Sequence, residues 1–294
     1  MTLPLHDPAW LERMYNNRAL VPDHMAYFQR WVQDSAQVRS EQPCVLDVAY
    51  GDGVGETLDI FPSRRDTPQG GVPVLVFIHG GYWRSLDKAD HSFIAPPFTQ
   101  AGFCVVVVNY ALCPGTPDAP VTIPHIVRQM EKALGWVWRH IAEHGGDPRR
   151  ITVAGHSAGG QLAAMLLTSV WPLLGPGLPD GLVRNALSMS GVHDLEPIMY
   201  TPMYQSVLQL TEQQVLQCSP ARLLEPPGGT LYCVVGADES PEFLRQNQLM
   251  QDAWGSHFVP RSEALPGLHH FSIVDALATP GHDLHHMALN LLRM

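Results

Sequence analysis

A serine sits near the middle of residues 151–160, ITVAGHSAGG, in a pattern that could make it a nucleophile. The β-branched run Ile151-Thr152-Val153 leads into Gly155-His156-Ser157-Ala158-Gly159, and small residues and leucines follow up to Leu167. That order reads as strand, sharp turn, helix. A serine at the apex of so tight a turn lies in strained backbone. Side chains two positions to either side would collide across the turn, so glycine is wanted at both. The turn lifts the hydroxyl above the sheet and aims the first amides of the next helix at it.

A serine hydroxyl is a poor nucleophile near neutral pH. It needs a base, a carboxylate to orient that base, and donors for the oxyanion that forms. The chain offers candidates for each, in a consistent order. His79-Gly80-Gly81 follows an apolar run upstream, where two glycines let backbone N–H groups face a substrate carbonyl together with the N–H of Ala158. One such donor typically lowers the barrier by about 3 kcal/mol. Asp238 and Glu239 follow a strand and are the candidate acids; His269 and His270 follow the last strand and are the candidate bases. Spacing alone leaves both pairs open. Asp194, after another strand, is a secondary position for an acid.

The elements that must hold these residues alternate along the chain. Strand patterns cover residues 45–50, 56–61, 72–78, 103–108, 151–154, 185–191, 230–236 and 261–265. The first two are separated by Gly51-Asp52-Gly53, a hairpin signal. Residues 72–78 form a continuous apolar run, as expected of a strand buried on both faces. Helical patterns cover 123–144, 158–170, 241–254, 271–277 and 282–292. An antiparallel pair followed by repeated strand-helix units implies a mixed, mostly parallel sheet covered by helices on both faces. Residues 1–40 read as an N-terminal helical arm, broken at Pro22 and packed on the core, with an aromatic-walled pocket as the second reading of its aromatics. Residues 194–220 interrupt the alternation and read as a helical insertion or cap. No composition shift marks a second domain within 1–294.

Composition bounds the rest. A chain of 294 residues can bury about three quarters of its unfolded surface. The net charge of −10 argues against nucleic-acid and anionic-membrane partners. Five cysteines, Cys44, Cys104, Cys113, Cys218 and Cys233, form no paired motif. Cys104 and Cys233 lie inside apolar runs, the pattern of reduced, buried thiols. No apolar run approaches the length of a membrane span, and the first residues lack a signal-peptide core, so the expected location is cytoplasmic. His282, His285 and His286 read as the polar face of a terminal helix rather than a metal site. No phosphate loop or cofactor motif is expected.

HGGYW at 79–83, GHSAGG at 155–160, NYALCP at 109–114, SGVHDLEP at 190–197 and ESPEFLRQ at 239–246 together resemble the kynurenine formamidase, or arylformamidase, branch of the α/β-hydrolases. The likeness covers roughly residues 20–280. It implies the α/β-hydrolase fold, with a mostly parallel, twisted, eight-stranded sheet. It implies Ser157 as nucleophile, His270 as base, Glu239 as acid with Asp238 the alternative, and Gly80, Gly81 and Ala158 as the oxyanion hole. Tyr82 and Trp83 are then expected to close the acyl side and stack on an aryl ring. The implied reaction is hydrolysis of an N-formyl aryl amide to formate and the free amine, kynurenine in tryptophan breakdown, with no cofactor and no metal. A broad carboxylesterase is the alternative, and a non-catalytic ligand-binding relative is a third reading. The expected partner is a small acyl substrate, with a homodimer left open.

Overall fold

The computed structural model describes residues 4–294. The chain begins with α1 (Pro8–Tyr15), α2 (Asn17–Leu20) and α3 (His24–Glu41). Asp7 caps α1 by accepting from the N–H groups of Ala9 and Trp10, and Pro8 fills the first turn, where a missing N–H is harmless. Strands β1 (Val45–Ala49), β2 (Thr57–Phe61) and β3 (Val72–Ile78) come next. Beyond them lie α4 (Ala95–Ala101), β4 (Cys104–Val108), α5 (Ile123–His140), β5 (Gly146–His156), α6 (Ala158–Thr168) and α7 (Trp171–Leu174). The second half holds β6 (Val183–Met189), α8 (Glu196–Met199), α9 (Pro202–Leu208), α10 (Glu212–Cys218), β7 (Thr230–Gly236) and α11 (Pro241–Phe258). It ends with β8 (Arg261–Leu265), α12 (Ser272–Leu277) and α13 (Asp283–Arg293).

The eight strands form one sheet in the order β1-β2-β4-β3-β5-β6-β7-β8. β2 runs antiparallel to both of its neighbours, and every other pairing is parallel. This is the α/β-hydrolase arrangement. Period-two alternation divides the core between the two faces. Val74, Val76, Ile78, Val106 and Val153 pack on one side with Leu134 of α5 and Leu162 of α6. Leu75, Phe77, Val105 and Leu187 pack on the other with Trp31 of α3, Phe98 of α4 and Leu291 of α13. The strands in the middle are therefore buried on both faces, which is why they read as unbroken apolar runs.

Two departures from the sequence expectation have clear causes. The short helix α4, APPFTQA, lies outside the helical patterns of the sequence, and its two prolines both stand in the first turn, where proline is tolerated. Strand β5 starts at Gly146 rather than near residue 151, because a register shift lets Gly146 pair with Val72 before Ile151 pairs with Val74. The helical histidines also differ: His285 faces the core, packed on Phe98 with Nδ1 2.9 Å from the Leu277 carbonyl oxygen, while His282 caps α13. All five cysteines are free thiols, four of them buried. Among the described residues no helix is long and apolar enough to cross a membrane.

Candidate active site

The turn between β5 and α6 has the geometry that its glycines imply. Ser157 takes φ 56° and ψ −116°, a strained conformation for a side-chain-bearing residue. A Cβ on Gly155 would lie 2.0 Å from the Gly159 carbonyl oxygen, and one on Gly159 would lie 2.1 Å from that of Ile78. Only glycine fits either position. The Ser157 N–H donates to the Met189 carbonyl at 2.8 Å, tying the turn to the end of β6. The hydroxyl is buried and has no hydrogen-bond partner among the described residues. Ala158 opens α6, so its N–H is one of the donors that a helix start leaves without an intrahelical partner.

His270 and Glu239 meet beside this turn. His270 Nδ1 lies 2.7 Å from Glu239 Oε2, and both residues are buried. The other carboxylate oxygen, Oε1, accepts from the Ser190 hydroxyl at 2.5 Å and from the Gly236 N–H at 2.8 Å. With Nδ1 committed to the carboxylate, Nε2 is the ring nitrogen free to act on a substrate or on Ser157. Asp238, next in sequence, is exposed, and its N–H donates to Leu268. His269 turns the other way: Nδ1 accepts from the N–H groups of Phe271 and Ser272, while Nε2 lies 3.2 Å from the Tyr27 hydroxyl. Asp194 pairs with Arg222 at 2.9 Å and serves the insertion instead.

The loop after β3 is held from behind. The Tyr110 hydroxyl donates to the carbonyls of both His79 and Gly80, at 2.9 and 3.0 Å. In a trans peptide the N–H points opposite to the C=O, so the amides of Gly80 and Gly81 turn away from Tyr110. Gly80 packs against Ser157: a Cβ there would come within 3.1 Å of Ser157 Cβ. Gly81, Tyr82 and Trp83 all have positive φ (103°, 51° and 55°), strain that persists only where neighbours over-determine it. Those neighbours are visible. Trp83 donates its indole N–H to Gln161 Oε1 at 3.1 Å, and its carbonyl accepts from the Cys113 N–H at 2.8 Å.

This arrangement corrects the expectation for Trp83. The indole is fully buried against α6 and does not line the pocket; it anchors the loop. The cause is the pair of left-handed residues, which sends successive side chains to opposite sides. Tyr82 does line the pocket, stacked on Tyr204 with ring centroids 3.9 Å apart. Both hydroxyls donate to the Tyr15 carbonyl, at 2.7 and 2.9 Å, so loop, insertion and N-terminal arm are fastened at one point.

The pocket over Ser157 and His270 takes five aromatic rings into its wall, Phe28 and Trp31 of α3, Tyr82, Tyr204 of α9, and Phe271, beside polar and charged side chains such as Asn17 and Arg84. The N-terminal arm therefore packs on the core and walls the pocket too. Sequence reasoning missed Tyr204, Ser190 and His156. Ser190, with φ 52° at the end of β6, carried no recognisable signal. His156 had one, its place immediately before the serine. Burial first, and the neighbouring His270 second, hold the His156 imidazole well below its ordinary range, so it is neutral.

Comparison with known proteins supports the family and the fold. The carboxylesterase family model matches residues 54–225, which take in the His79 loop and the serine turn but end before Glu239 and His270. Kynurenine formamidase from Danio rerio is 30% identical over 263 residues, covering 87% of this chain and 84% of that protein. The Salmo salar kynurenine formamidase is 30% identical over 268 residues, covering 88% and 86%. A crystal structure from Silicibacter, provisionally assigned as a thioesterase, has a TM-score of 0.80 at 28% identity, over 97% of this chain and 99% of that one. Esterase B from Lactobacillus rhamnosis, at 16% identity and TM-score 0.66 over 95% of each chain, shares the fold alone.

Proposed function

The chain belongs to the kynurenine formamidase branch of the α/β-hydrolases, and we propose that it hydrolyses the N-formyl amide of an aromatic amine to formate and the free amine. The observation that carries this reading is the pocket shared by Ser157, His270 and five aromatic rings, which suits a flat aryl leaving group with a very small acyl group.

In this reaction Ser157 Oγ passes its proton to His270 Nε2 and attacks the formyl carbon. The N–H groups of Gly80, Gly81 and Ala158 receive the oxyanion. Glu239 orients the imidazole and stabilises its charged form. As the intermediate collapses, His270 gives the proton to the leaving nitrogen and the C–N bond breaks. Water, deprotonated by His270, then attacks the formyl ester and releases formate. Formyl is the smallest acyl group, so little room is needed beside Tyr82. Free thiols at all five cysteines support a reducing, cytoplasmic setting.

A broad carboxylesterase is the second reading, favoured by the family model over residues 54–225. The two are separated by kcat/KM on N-formylkynurenine and on p-nitrophenyl acetate; an ester preference of about a hundredfold, about 2.7 kcal/mol in the barrier, overturns the formamidase reading. Labelling by a fluorophosphonate, lost in Ser157→Ala, tests the nucleophile itself.

A further inference from the structure

Tyr15, the last residue of α1, is fully buried and carries the N-terminal arm to the segment that holds Glu239. Its carbonyl accepts from Tyr82 and Tyr204 on the pocket wall. Its side chain points to a different part of the site. The hydroxyl donates to Glu242 Oε1 at 2.6 Å and accepts from Gln246 Nε2 at 2.8 Å. Glu242 is fully buried, and Arg245 donates to both of its carboxylate oxygens. A carboxylate in the interior is costly unless it is paired and hydrogen-bonded, so these partners are held in one arrangement. Burial first, and the Glu242 charge second, keep the Tyr15 phenol well above its ordinary range, so it stays a donor.

The residue after Glu242 carries this fixed point to His270. Phe243 is fully buried; its ring meets that of Tyr15 edge-on, with centroids 5.6 Å apart, and lies 4.7 Å from the imidazole of His270. The Ser240 hydroxyl caps α11 by accepting from the Phe243 N–H at 3.4 Å, so Glu239 and Phe243 belong to one helix start. The two restrain the imidazole differently. The contact of Nδ1 with Glu239 at 2.7 Å fixes one direction and leaves the ring free to turn about it. A ring packed against the imidazole removes that turn, and His156, also at 4.7 Å between centroids, adds a second contact. Nε2 can serve both Ser157 and a leaving group only while that plane is held.

From this geometry we infer that Phe243 is a positioning residue for His270, holding the imidazole plane that Glu239 alone leaves free, and that Tyr15 supports Phe243 from behind. The N-terminal arm thus contributes to turnover and not only to the pocket wall. The inference rests on the roles proposed above for Ser157 and His270, and on neither choice of acyl group.

The test follows p-nitrophenyl acetate turnover and the rate of fluorophosphonate labelling in the full-length protein, since both need the serine to be activated by its base. Phe243→Leu keeps apolar bulk and loses the flat ring; kcat and the labelling rate should fall by about ten- to a hundredfold, with KM within about twofold. Phe243→Met fills the space without a ring, should behave alike, and serves if the leucine variant does not fold. Tyr15→Leu should lower kcat in the wild-type background but cost almost nothing further beside Phe243→Leu, because the ring it acts through is gone. A loss that is only structural would lower the urea midpoint and leave kcat of the folded protein alone. Wild-type kcat in the folded Phe243 variants overturns the proposal, and effects that multiply in Tyr15→Leu/Phe243→Leu overturn the part assigned to Tyr15. If the wild type labels and the Phe243 variants label equally fast, this inference alone fails; a wild type that does not label removes the nucleophile reading of Ser157 and this inference with it.

Discussion

His156 Nε2 lies 2.7 Å from the carbonyl oxygen of His270, so the residue before the serine grips the main chain of the residue proposed as its base. A carbonyl only accepts, so Nε2 carries the proton and Nδ1 is bare; that atom is buried without a partner among the described residues. The contact ties the serine turn to the loop after β8, two segments separated by more than a hundred residues.

The expected role of His156 is therefore to position His270. His156→Phe keeps the ring volume and loses the donor, and kcat should fall by about ten- to a hundredfold with KM little changed, the cost of a slightly misplaced catalytic group. His156→Gln, which retains an N–H donor, should recover part of the loss. Equal kcat in wild type and His156→Phe would show that the contact does nothing for catalysis.

The carboxylates 238 and 239 should separate cleanly. Glu239→Gln removes the negative charge 2.7 Å from His270 Nδ1 and is expected to lower kcat by about four orders of magnitude. Asp238→Asn changes an exposed side chain and should stay within about twofold. The opposite pattern would reassign the acid.

Ser190→Ala deletes the hydroxyl that donates to Glu239 Oε1 while leaving the Gly236 amide in place. Loss of one hydrogen bond to a charged group costs about 1.5–3 kcal/mol, shared between stability and kcat. Both are measurable, by urea midpoint and by steady-state rate. If neither moves, the carboxylate is held by the amide alone.

Trp83 should behave as a loop anchor. Trp83→Phe forfeits the hydrogen bond to Gln161 and some packing, a loss of about 1–2 kcal/mol in stability. Its effect on KM should be the same for aryl and alkyl substrates. By contrast, Tyr82→Ala and Tyr204→Ala remove rings that face the pocket and should raise KM more for aryl substrates. An aryl-specific KM increase in Trp83→Phe would return Trp83 to the binding surface.

Acid should destabilise this fold from an unusually high pH. Burial holds His91 and His193 near 3, whereas the unfolded chain binds protons around 6.5. Below pH 6.5 the unfolded state takes up protons that the folded state refuses. The stability these groups confer is thus complete above 6.5 and is lost as the pH falls toward 3, each steepening the slope by up to about 1.4 kcal/mol per pH unit. Urea midpoints at pH 7.5, 6 and 5 should drop accordingly, and His91→Phe should flatten the slope. An unchanged slope in that variant would mean that His91 is not among the groups responsible.

The sequence by itself determined the elements that local chemistry dictates. Short apolar runs, alternating or unbroken, and the turn residues between them specified all eight strands, and the crowding of Gly155 on Gly159 specified the serine turn, because those constraints act over a few residues. Near neighbours were left open by spacing, and only the family resemblance pointed to Glu239 and His270. Asp238 and Glu239, or His269 and His270, differ by one position, and which of each pair faces the serine depends on the Gly236 amide, Ser190 and Tyr27, brought there from distant parts of the chain. Trp83 looked like a pocket wall because its backbone conformation is set by Tyr110, Gln161 and Cys113 rather than by its own neighbours. The grip of His156 on His270 and the meeting of Tyr82 and Tyr204 on the Tyr15 carbonyl likewise arise only once the sheet has closed. Local sterics fixed which serine is exposed to chemistry; long-range packing decided what surrounds it.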